Sequence, residues 1–258
     1  MELRDWALQI LRSDSLSEKL SKPDCLTDLN PGSAVLIKEP NRPSRMRFQK
    51  HSKKEKLPPL HDLHHPDNRA ICMHRFAGHE LLAVEIMAYA LAAFPEAPKN
   101  LRLAIAHTLQ EEQGHVQLYI QRMQDLGLNF GDLPLYRHFW SHVRYITSPI
   151  EYISVMNLTL EMANLDFAPI YGKYFEQFGD QESSNLMKQI LEDEIRHVSV
   201  GYKWFCKLKE PNIESWDAFL QAQSPMLSAK RAKGFHVFED NRRKAGIPED
   251  WIKKIKEA

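Results

Sequence analysis

"EDEIRHVSVG", residues 192–201, sets three acids, an arginine and a histidine within one helix-like stretch. "LQEEQGHVQLY", residues 109–119, does nearly the same. In each, a glutamate precedes a histidine by three positions: Glu112 before His115, and Glu194 before His197. Two such pairs prove little, because 20 Glu and 12 His in 258 positions give about one by chance. The spacing around them carries more. "ELLAVE" (80–85) lies upstream of the first pair and "EMANLD" (161–166) upstream of the second, each an acid, four residues, then an acid. Glu80 stands 32 positions before Glu112, and Glu161 stands 33 before Glu194, so the motif repeats at an offset of 81 or 82 residues. Solvated helix faces have no reason to keep that register.

Four long helical segments hold these motifs. The first spans about 67–94 and stops at Pro95; the second spans about 98–126 and ends at Gly127, a fitting C-terminal glycine. The third opens with "SPIE" (148–151), where Ser148 caps, Pro149 suits the first turn and Glu151 completes a capping box. It runs to about 178, with Gly179 behind it, and the fourth spans about 180–208, before Pro211. No segment alternates apolar and polar residues between hairpin turns, so no sheet is expected. The fold class is all-α: a four-helix bundle whose second and third helices are joined by a long crossover, residues 128–147. Residues 3–20 add an N-terminal helix with Leu3, Trp6, Ile10 and Leu20 as its docking stripe. Residues 31–60, with five Pro and eight Lys/Arg against two Glu, predict an irregular solvated connector, with phosphate binding as the lesser reading. Residues 214–258 predict two or three short helices. The expected organisation is therefore 1–66 (N-terminal helix and basic arm), 67–210 (bundle) and 211–258 (C-terminal helical extension).

Composition narrows the function class. Lys and Arg number 34 against 34 Asp and Glu, which gives no global attraction to nucleic acid or acidic lipid. Three distant cysteines, Cys25, Cys72 and Cys206, suit a reducing compartment better than a disulfide framework. The apolar run "LLAVEIMAYALAAF" is 14 residues long and contains Glu85, too short and too charged to span a bilayer. "MELRDWALQILRSD" lacks an uninterrupted apolar run, so no signal peptide and a cytoplasmic location are expected.

The motif acids lie on core faces. Residues three or four apart share a helix side, and Glu112 shares its side with Ile105, Leu109, Val116, Tyr119 and Met123. Glu80 shares its stripe with Met73, Ala77, Val84, Met87 and Leu91; Glu194 shares its own with Met187, Leu191, Val198 and Gly201. An unpaired buried carboxylate costs several kcal/mol. Two divalent cations would balance four carboxylates, with two neutral imidazoles completing the shell, a donor set suited to iron or manganese. Glu85 and Asp166 also keep register, 27 and 28 residues before the motif glutamates. Five helical positions rotate by about 140°, so Glu80 and Glu85 cannot share a face. Rotation alone leaves open whether Glu80 and Glu161 or Glu85 and Asp166 are the ligands; if the former, Glu85 and Asp166 are acceptors for the ligand histidines or ion-pair partners, and otherwise they are alternative ligands.

On these motifs, residues 70–208 resemble the ferritin-like di-iron carboxylate superfamily. "HELLAVEIMAYALAAFP", "EEQGHVQLY", "LTLEMANLDFAP", "EDEIRHVSVG" and, in the tail, "GFHVFEDNRRKAG" look like a bacterial ferritin-like family of unknown function, distantly related to the tRNA hydroxylase MiaE. The resemblance implies Glu80, Glu112, His115, Glu161, Glu194 and His197 as ligands of two iron ions, with manganese or a mixed Fe/Mn pair as variants. It implies an O2-activating oxidase or hydroxylase acting on an unidentified organic substrate, with electrons from an external donor. The rival expectations are ferritin- or rubrerythrin-like iron oxidation or peroxide removal, and a non-catalytic bundle stapled by metal. A tRNA substrate is less favoured because the net charge is zero; no membrane partner is expected, and a homodimer is compatible with the sequence.

Overall fold

A computed structural model describes residues 1–49 and 57–258. Among them the regular elements are helical, and two isolated β-bridges, Glu2 with Thr27 and Phe48 with Leu135, build no strand. By its contacts the chain divides into two compact units, Met1–Val143 and Arg144–Ala258.

The first unit holds α1 (Leu3–Arg12), α2 (Leu16–Lys19), α3 (Pro66–Ala93) and α4 (Lys99–Asp125). Pro66 sits in the first turn of α3, where its missing N–H removes no helical bond. The short link from α3 to α4 forces an antiparallel return, so the two pack as a hairpin. Against α3, α1 buries Leu3, Trp6, Ile10 and Leu11, and Leu20 is buried too. By length and composition α3 reaches what a membrane span needs, more than its 14-residue apolar run suggests, yet 94% of that window lies inside the protein. It is a core helix of this unit.

The described part of the arm, residues 31–49, is largely irregular and mostly exposed, as its composition predicts, but buried charges pin it and the segment just before it. Asp28 and Arg42 are both buried. Arg102 of α4 donates its Nε to Asp28 at 2.9 Å and its Nη1 to the carbonyls of Leu91 and Phe94 at 2.9 and 2.8 Å. One guanidinium thus satisfies carbonyls at the end of α3 and anchors the arm to the hairpin turn. Further along, Val35 N–H donates to Ala92 O, and Trp140 Nε1 donates to Lys38 O. Single long-range partners hold the segment at these points, which composition cannot register. Residues 50–56, on which much of the phosphate-binding reading rests, lie outside the described residues.

In the second unit, α5 (Pro149–Val155), a π-helical turn (Met156–Glu161) and α6 (Met162–Gln177) follow one another without a break, and α7 (Gln181–Leu208) returns beside them. Ser148 and Asp180 cap the starts of α5 and α7 through their side chains. Gly179 takes a φ of 79° between them, a conformation that costs glycine least. Then come α8 (Ser215–Gln221), α9 (Glu239–Lys244) and α10 (Glu249–Glu257). Trp251 of α10 is buried against Tyr202, Phe205, Trp216 and Phe219.

Pro169 lies inside α6, and a proline leaves the carbonyl four residues earlier without its helical donor. That carbonyl is Leu165 O, and the side-chain amide of Asn241 donates to it at 2.9 Å. The adjacent Asp166 takes Arg242 Nη1 at 2.6 Å and Nη2 at 2.9 Å, and the backbone N–H groups of Gly234 and Phe238 at 2.9 and 2.8 Å. The tail is therefore joined to α6 where proline and a buried charge require it.

Two consequences can be measured. Arg242→Met leaves the Asp166 carboxylate buried without its cation and is expected to lower unfolding free energy by about 3–5 kcal/mol, read from urea denaturation. In the first unit, buried His74 accepts the Gly131 N–H on Nε2 at 3.1 Å; burial first, then neighbouring Arg75, holds its pKa down at about 4. The unfolded chain binds this proton below about 6.5, the native state only near 4, so stability falls as pH drops through that window. His74→Gln should flatten that slope, by at most about 1.4 kcal/mol per pH unit.

Candidate metal centre

In the first unit, α3 presents Glu80 and α4 presents Glu112 and His115, with relative exposures of 5%, 0% and 2%. One ligand atom from each lies within 4.8 Å of the other two. The i, i+3 spacing on α4 brings Glu112 Oε2 to 3.0 Å from His115 Nδ1. The surrounding stripe is apolar: Met73, Ala77, Val84, Met87 and Leu91 on α3, and Leu109, Val116, Tyr119 and Met123 on α4, are buried. A compact group of two carboxylates and an imidazole in such surroundings fits a hard or borderline divalent cation.

Glu85, one of the alternative ligands, is committed elsewhere. Lys19 Nζ lies 3.1 Å from one carboxylate oxygen and Arg42 Nη2 2.5 Å from the other. The Arg42 guanidinium also sits 4.1 Å from the Phe48 ring centroid, and Lys19 Nζ donates to Ile10 O at 2.6 Å. Burial pushes the Lys19 ammonium pKa down, and Glu85 pulls it back up. The end of α2 is also tied to the motif on α4, because Gln113, next to Glu112, donates to Lys19 O at 2.7 Å.

In the second unit, Glu161 closes the π-helical turn, and α7 carries Glu194 and His197; all three are buried. A carboxylate oxygen of Glu161 and a ring nitrogen of His197 lie within 4.8 Å. Glu194 Oε2 is 3.8 Å from His197 Nδ1. Two side-chain amides reach these acids: Asn157 Nδ2 donates to Glu161 Oε2 at 2.6 Å, and Asn164 Nδ2 donates to Glu194 Oε1 at 2.8 Å. Asp166, the other alternative ligand, is held by Arg242 and two backbone N–H groups.

Neighbouring residues take ordinary roles. His79 is half-buried against the His138 and Phe139 rings. Tyr119 packs on Phe76, and Tyr202 on Trp251. Arg196 bonds the Asp193 carboxylate and the Glu192 carbonyl on the exposed side of α7. His61, His64 and His65 are exposed. Sequence reasoning missed Asn157 and Asn164, whose positions carry no pattern of their own, and missed Lys19, Arg42 and Arg242 as countercharges.

Among curated proteins, an "Uncharacterized protein" of Haemophilus influenzae is 26% identical over 155 residues, 57% of this chain and 52% of that protein. The chain thus spans about half the length of that relative. No solved structure matches this chain. A family profile matches residues 5–253. On that match, which covers nearly all of the sequence, the chain belongs to the family described as "Protein of unknown function (DUF455)".

Proposed function

We propose that this chain is a di-iron carboxylate protein of ferritin-like type, an O2-activating oxidase or hydroxylase acting on an organic substrate. The buried group of Glu80, Glu112 and His115 carries the reading, since its donor atoms already lie within 4.8 Å of one another. Glu161, Glu194 and His197 repeat the same residue types at a sequence spacing that differs by one residue. Together the two sets supply four carboxylates and two imidazoles, the complement that two divalent ions would neutralise. Manganese or a mixed pair would fit the same donors.

When bound, a pair of reduced iron ions supplies the electrons with which O2 is activated. The chain's own part is to hold and shield. Glu80 and Glu112, with His115, would keep one donor set in place; Glu161 and Glu194, with His197, would keep the other. Met73, Val84, Met87, Leu109 and Val116 would keep water from the reacting centre. An external electron donor and a cytoplasmic setting complete the reading, and a tRNA substrate remains the less favoured choice on net charge.

Two experiments test it. Glu112→Ala and His197→Ala should each lose most bound metal and melt at lower temperature. Glu85→Gln should keep full metal stoichiometry while costing about 3–5 kcal/mol of stability, the expected cost of breaking a buried ion pair. Elemental analysis and denaturant curves read both effects, and undiminished metal in the first two variants would overturn the ligand assignment. The diferrous protein should consume O2; peroxide consumption without O2 uptake would indicate peroxide removal, and inertness to both would leave metal as a structural staple.

A further inference from the structure

The π-helical turn ends on Glu161, and π-turns inside helices concentrate at functional sites. Here the turn places Asn157 between two of the named residues. Its amide donates to Glu161 Oε2 at 2.6 Å and to the backbone carbonyl of His197 at 3.4 Å. The approach to α7 depends on Gly201, one turn after His197: a Cβ built there would stand 2.3 Å from Asn157 Cβ, closer than real contacts allow. The turn is also buttressed from behind. Ser154 O accepts from the Thr159 hydroxyl at 2.7 Å, and Gln223, just after α8, donates to that hydroxyl at 2.8 Å.

The sequence repeat gives this pair counterparts in the first unit. Asn157 precedes Glu161 by four, as Phe76 precedes Glu80; Gly201 follows His197 by four, as Tyr119 follows His115. Phe76 and Tyr119 are in ring contact, with centroids 5.6 Å apart. At equivalent places one unit has an aromatic contact, and the other has an amide donor admitted by a glycine.

We infer that Asn157 is a positioning residue for Glu161, with Gly201 as the gap that admits it, so that the two donor sets are chemically unequal. This rests on the di-metal reading. The amide engages Oε2 and leaves the metal-binding share of the carboxylate to Oε1. It also fixes Glu161 relative to the main chain of His197, so that the two ligands keep one geometry. A charge-assisted amide bond draws electron density from the carboxylate.

Anaerobic Fe(II) titration of the full chain, with Mössbauer spectra of the 57Fe-loaded protein, tests the inference on wild type, Asn157→Leu, Asn157→Ser, Gly201→Ala and Glu161→Gln. The wild type should bind two ions with distinguishable spectra. Asn157→Ser and Gly201→Ala should weaken one ion by about 10- to 100-fold and move that ion's spectrum alone, with the metal-free melting temperature near wild type for the serine variant. Asn157→Leu should do the same; if it does not fold, the serine variant, which is smaller and still polar but lacks the amide, carries the test. Wild-type affinity and unchanged spectra in the serine and alanine variants, alongside a loss in Glu161→Gln, would overturn the positioning role alone. Absence of iron uptake by the wild type would overturn the di-metal reading and this inference with it.

Discussion

A carboxylate taken out of water must be given a countercharge or strong donors, and each unit of this protein is arranged around that demand. Asp28 has Arg102, Glu85 has Lys19 and Arg42, and Asp166 has Arg242. These pairs fasten peripheral segments to the long helices: the arm to the hairpin turn, α2 to α3, the tail to α6. In the first unit Glu80 and Glu112 sit instead with His115, and in the second Glu161 and Glu194 sit with His197, Asn157 and Asn164. Buried acids here are of two kinds, those that fix structure through cations of the chain and those gathered with imidazoles and amides.

Glu85 and Asp166 are of the first kind in the structure, each in an ion pair. Each stands five residues beyond a motif glutamate, and that rotation carries it to a different helix face, where it meets a basic side chain from another segment. A spacing rule can say that two acids face apart; it cannot say which one a distant lysine or arginine will reach. Arg42 and Arg242 lie 43 and 76 residues from their partners, and nothing local marks either.

Much of the fold was legible because it is written in punctuation. Prolines at 66, 95 and 98 and the glycines at 127 and 179 bound the long helices within a residue or two of where they end. The acid and histidine positions were legible because a repeat in register is improbable by accident. The π-helical turn was not, since "MNLTLE" reads as ordinary helix, and the partners that reach it from elsewhere, Gln223 on Thr159 and the His197 carbonyl on Asn157, are far off in sequence. The burial of Asp28 and Arg42 was equally hidden, because a charge looks alike in composition whether wet or dry.

The repair at Pro169 bears on how the second unit is completed during synthesis. Leu165 O and the Asp166 carboxylate take partners from a segment 76 residues further along. On a ribosome the α6 segment therefore emerges long before Asn241 and Arg242 exist, and until they arrive its two polar groups must stay hydrated. The nascent unit has a wet seam that Asn241 and Arg242 close.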